Sequence, residues 1–204
     1  MLNKLKIGPK LIGGFLVVGM ITMAIGILGI SNMGKINGLN DKMYENHLLG
    51  ISHAKEANIN LIYIREELLG MFIESTITDR ENSERKIETF NKAFRDEMME
   101  VKKSTFNEEG KMLIQKVENL YEDYFKNMEN LVSIIKKQEL SKADNALMDK
   151  LAIVRKIGDD TDKAMIELEK YKERRGKEMF DESHSIYDNM RYLLITLVII
   201  ATMA

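Results

Sequence analysis

Asn58 and Arg65 are the residues best placed to do chemistry in this chain. They stand seven apart in a series with Ile51, Ala54, Leu61, Leu68 and Phe72 whose 3-4 spacing is that of a coiled-coil seam. A guanidinium on a seam must be paired or hydrogen-bonded to be tolerated there. Arg155, at a similar height on a later helix, offers a second cation that could flank the same pocket. It follows the seam residue Val154 by one position, which would turn it toward solvent. The chemistry available to this trio is charge pairing and hydrogen bonding, that is, binding. Catalytic patterns are missing. A di-iron bundle needs Glu-x-x-His, whereas the chain offers Glu45-Asn46-His47 and Glu182-Ser183-His184, whose acid and imidazole diverge around a helix. His47 and His53 are six apart and diverge as well, so both read as surface or interface residues. With zero cysteines there is no thiol chemistry or CxxC site, and no phosphate loop, nucleophile elbow or HExxH occurs. The expectation is a protein that is not an enzyme and holds no metal or cofactor, with its 15 methionines serving as adaptable core fillers.

The elements that must carry these residues are helices. The sole proline is Pro9, and three further seams follow the first. They run Ile87, Phe90, Phe94, Met98, Val101; then Leu113, Val117, Leu120, Tyr124, Met128, Leu131, Ile135; then Leu147, Leu151, Val154, Gly158, Thr161, Met165, Leu168. Start signals fall at Thr78 or Asp79, at Thr105–Glu108 (T-F-N-E) and at Ser141–Asp144 (S-K-A-D), the last two with capping-box spacing. Short connections imply antiparallel neighbours. The predicted fold is all-α, an antiparallel up-down-up-down four-helix bundle whose long first and fourth helices continue into membrane spans.

Residues 11–30 contain no charge over twenty positions, enough helix to cross a bilayer core of about 30 Å. Lys4, Lys6 and Lys10 precede the run without an acid among them, which places residues 1–10 in the cytoplasm. Glycines within the run let membrane helices approach closely. Residues 31–191 then form an extracytoplasmic domain, with 27 basic against 32 acidic residues and a formal charge of −5. That balance does not suggest nucleic acid. Residues 192–204 begin a second, returning span that stops short of the length a crossing needs, with Arg191 and Tyr192 at the outer interface. Near the membrane, Asn37, Asn40, Tyr44 and His47 lie at the height of Arg175, Glu182 and Asn189. They read either as a hydrated zone that lets a helix slide or as a static interhelical network.

The stretches KLKIGPKLIGGF at the entry to the first span, KINGLNDKMYENHLLGI as the helix leaves it, and KADNALMD at the start of the fourth helix resemble the amino-terminal region of methyl-accepting chemotaxis proteins with a four-helix-bundle sensor. The resemblance covers the whole chain. It implies a homodimeric, multi-pass plasma-membrane receptor in contact with lipid, whose further parts, a HAMP linker and a signalling hairpin, control a cytoplasmic histidine-kinase complex. In the amino-acid receptors of that family, arginines along the first helix of both subunits grip ligand carboxylates. Arg65 is the one arginine available here, with Leu69, Gly70, Ile73 and Glu74 on the following turns. That pattern departs from aspartate- or serine-like recognition. Arg65 is therefore paired either with a ligand carboxylate or with a glutamate on a neighbouring helix. The expected function is detection of a small molecule or an extracytoplasmic binding protein, with a helix displacement as output. A histidine-kinase or nucleotide-cyclase sensor and a non-sensing helical spacer are the alternatives.

Overall fold

The computed structural model describes residues 7–140 and 145–203. Among these, every regular element is helical: α1 (Ile7–Lys42), a π-helical turn (Met43–Leu48), α2 (Leu49–Ile73), α3 (Ile77–Lys103), α4 (Glu108–Ile135) and α5 (Asn145–Met203). The chain divides into two compact units, one of Met1–Met43 with Lys177–Ala204 and one of Tyr44–Gly176.

In the first unit, α1 contains one stretch long and apolar enough to cross a membrane, with a mean hydropathy of 2.4 and none of that stretch buried. Leu11, Phe15, Met20, Met23, Ile27 and Ile30 are all open. The end of α5 packs in the same unit, where Asn32 Nδ2 donates to Met190 Sδ at 3.4 Å.

In the second unit, α2 to α5 enclose one core. On α2 the buried stripe is Gly50, Ala54, Ala57, Leu61, Ile64, Leu68 and Met71. The spacing is that of the predicted seam, but half of its members are displaced by one residue. Ala57, Ile64 and Met71 are buried, while Asn58, Arg65 and Phe72 are half-buried beside them. Both series share Ala54, Leu61 and Leu68, and the core takes the series that does not bury a guanidinium and an amide. A similar displacement on α4 buries Ile114 and Tyr121 and leaves Leu113 and Leu120 partly covered. The predicted seams of α3 and α5 are otherwise occupied as read, except that Phe90 is only partly buried. Phe94 stacks on Tyr121 with ring centroids 3.6 Å apart, and Tyr121 donates to Asn91 Oδ1 at 2.9 Å.

Helix ends differ from the sequence expectation in detail. Thr76, not Thr78 or Asp79, caps α3, its side-chain oxygen accepting from the Asp79 amide at 3.1 Å. Asn107, not Thr105, caps α4 by accepting from the Gly110 amide at 3.0 Å. Thr105 instead donates to the Val101 carbonyl within its own turn, the competing bond open to a hydroxyl near a helix end. The signal at Ser141–Asp144 lies outside the described residues.

Side-chain pairs relate neighbouring helices. On α2 and α3, His53 meets Glu97 and Glu67 meets Lys86; on α3 and α4, Glu84 meets Lys136 and Lys102 meets Glu118. On α4 and α5, Glu109 meets Arg174 and Lys116 meets Glu167.

Candidate functional site

The three predicted binding residues fall on one face, shared by α2 and α5. Asn58 Nδ2 donates to Asp162 Oδ1 at 2.9 Å, and Arg65 forms a short ion pair with Asp159. One turn toward the α2 start, Lys55 lies 3.9 Å from Glu173 and also attracts Glu169. A ladder of polar pairs thus joins α2 to α5. Arg65 is paired within the bundle, with an aspartate in place of the expected glutamate. Its side chain is 29% exposed, so it sits at the margin of the core and not inside it. That margin follows from the one-residue displacement of the α2 stripe.

Gly158 permits the close approach. A Cβ there would stand 3.1 Å from Tyr124 Cε2 and 3.5 Å from Arg65 Nε, tighter than a packed methyl tolerates without a shift of the ring. Beneath Arg65, the Tyr124 hydroxyl is buried with no hydrogen-bond partner, and burial pushes its phenol well above the usual tyrosine range against the pull of Arg65. Asn58 Oδ1 is likewise buried and unpartnered. A cavity of about 40 Å³ lies among Arg65, Leu68, Leu69, Tyr124, Val154 and Arg155, room for one or two waters. Arg155 is exposed as expected and also borders a wider groove of about 420 Å³ with Met148, Asp159 and Lys163. The structure therefore brings Arg65 and Arg155 to one cavity and leaves Asn58 two turns away on the same ladder.

Beside the ladder, α2 keeps a second apolar series open to solvent: Ile59, Ile62, Leu69 and Ile73. With Glu66 these positions repeat every three and four residues, so α2 carries one covered and one uncovered coiled-coil stripe.

Two buried cations were not anticipated. Arg80, 6% exposed, donates to the carbonyls of Met71, Ile135, Gln138 and Glu139, and so gathers the ends of α2 and α4. Lys172, fully buried, donates through Nζ to the Asn46 carbonyl at 3.0 Å, the Ser104 carbonyl at 2.8 Å and the Ser104 hydroxyl at 2.9 Å. Arg80 faces carbonyls at the ends of α2 and α4, and Lys172 faces the end of α3, where the backbone dipole favours positive charge. Burial pulls the Lys172 ammonium down to about 8. Both positions continue seams that are legible in the sequence, Arg80 seven before Ile87 and Lys172 four after Leu168. His47 is also buried, against Gly176 of α5, at a contact between helices and not on the surface.

A family model described as a four helix bundle sensory module for signal transduction matches residues 4–187. No curated protein and no solved structure matches the chain.

Proposed function

The chain belongs to the four-helix-bundle sensory modules of methyl-accepting chemotaxis proteins, and we propose that it is the membrane-rooted, ligand-detecting part of a homodimeric chemoreceptor. In this reading residues 11–30 and the run from 192 are membrane helices, residues 31–191 lie outside the plasma membrane, and the output reaches a cytoplasmic kinase complex. The module carries out no catalytic step. The antiparallel up-down-up-down order is supported by the ion pairs, since residue numbers rise on one helix as they fall on the next: 53 with 97 and 67 with 86, 84 with 136 and 102 with 118, 109 with 174 and 116 with 167.

The face of α2 and α5 is the observation that carries the reading. Its open heptad stripe on α2 suits a second copy of the chain, because two such stripes covering each other make a coiled-coil seam. Its polar ladder is the part a ligand can re-pair. A solute carboxylate or amide that competes for Arg65, Arg155 or Asn58 changes which of two packings of α2 and α5 is favoured, provided it binds the two with different affinity. Interface shifts of about 1–2 Å suffice for such switching.

Thermal unfolding of the full chain in lipid nanodiscs across a panel of small metabolites tests the proposal. A ligand at 100 times its dissociation constant adds about 2.7 kcal/mol. Stabilisation by one compound, lost in Arg65→Ala, is the expected result. A flat panel would favour either a protein partner or a helical spacer that senses nothing. A kinase or cyclase output would leave this result unchanged and alter only what the signal controls.

A further inference from the structure

Lys172 ties three segments of the second unit together at one point. Its side chain leaves α5, enters the core, and places Nζ against the carbonyl of Asn46 in the π-helical turn and against both oxygens of Ser104 at the end of α3. Three ammonium hydrogens meet three acceptors. Gly50 opens the path, because a Cβ at that position would lie 2.9 Å from Nζ and 2.8 Å from Ser104 Oγ. An unpaired buried ammonium is not tolerated, and here all three acceptors are supplied.

The π-helical turn gives the arrangement its second half. A π turn is rare, appears mostly as a single-turn bulge inside an α-helix, and is frequent at functional sites. Here the support for Asn46 is the side chain of a residue on α5.

We propose that Lys172 is a positioning residue for signal transmission, a latch that fixes the π turn at Asn46 and the end of α3 to a single axial position of α5. Displacement of α5 past both segments must release the ammonium from all three oxygens, one on Asn46 and two on Ser104. The latch therefore makes the movement stepwise, with one registered state and one released state. This rests on the sensor reading, in which α5 shifts between two packings against α2.

The test is amide hydrogen exchange on the full chain in lipid nanodiscs, without ligand, for wild type, Lys172→Met and Ser104→Ala, and for the double variant. The latch predicts that Lys172→Met speeds exchange at residues 46–51 and at the end of α3 by tenfold or more, while amides around the distant Arg80 keep their wild-type protection. It also predicts that Ser104→Ala, which removes one acceptor on α3, speeds exchange at residues 46–51 about threefold and has no added effect there once Lys172 is Met. Unchanged exchange at residues 46–51 in Lys172→Met would overturn the proposal, as would a uniform rise throughout the bundle or a Ser104→Ala effect confined to its own turn. If Lys172→Met does not fold, the effect of Ser104→Ala across the lysine decides alone. A flat metabolite panel with the exchange pattern intact would remove the sensor reading and leave the latch; the reverse combination would do the opposite.

Discussion

At the scale of single residues, the bundle depends on cations and glycines more than on its ion pairs. Arg80 satisfies four carbonyls from a buried position, and leaving buried acceptors unpaired costs about 1–3 kcal/mol each. Arg80→Met is therefore expected to lower the unfolding free energy by roughly 3 kcal/mol, read as a fall in the urea midpoint. Asp159→Ala, which breaks the half-exposed pair with Arg65, is expected to cost under about 1 kcal/mol in the same assay. Gly110 is a third case. A Cβ there would collide with Thr105 Cγ2 and stand 2.7 Å from the Tyr171 hydroxyl, which also donates to the capping Asn107. Gly110→Ala gains about 1 kcal/mol of helix propensity, but overpacking of about 1–3 kcal/mol works against it. Net destabilisation is the expected outcome, with Thr105→Ser in the same chain restoring part of it. Lys172 predicts a pH dependence. Its folded value near 8 lies below the ordinary lysine value, so between them the unfolded chain holds a proton that the folded chain lacks. Its contribution to stability is flat and lowest below about pH 8 and rises toward pH 10, by up to about 1.4 kcal/mol per unit. The stability difference between wild type and Lys172→Met, measured by urea unfolding at pH 7 and pH 9.5, should move in favour of wild type as pH rises.

At the scale of elements, helix identity was legible and helix phase was legible only in part. Four apolar seams without an internal proline could form little else than helices, and all four lie on helices as read. The phase of α2 was ambiguous because Ala54, Leu61 and Leu68 belong to two interleaved heptad series. Choosing between them requires weighing Ala57, Ile64 and Met71 against Asn58, Arg65 and Phe72 as core residues, and the desolvation of Arg65 decides it. A one-residue rotation still leaves Asn58 and Arg65 at the edge that faces α5, where they pair with Asp162 and Asp159. Arg80 and Lys172 were missed for a different reason. Their acceptors are backbone carbonyls from other helices, and no spacing pattern in one segment shows which ends will meet. Extending a seam until it reaches a charged residue was the available signal. The π turn has no signature in MYENHL that a hydrophobic pattern would register.

At the scale of the whole molecule, the account joins family membership to one uncovered helix face. The absence of cysteine makes that face simple to probe, because any introduced thiol is unique in the chain. The most direct measurement is disulfide formation in native membranes by Ile62→Cys on the open α2 stripe, with Asn127→Cys, partly exposed on α4, as control, before and after addition of small-molecule pools. The account predicts rapid dimer crosslinking at position 62, little at position 127, and a rate at 62 that changes with at least one pool. Equal crosslinking at the two positions would contradict the homodimer seated on this face, and a rate at 62 that stays the same with every pool would contradict a sensor whose α2 and α5 repack on binding.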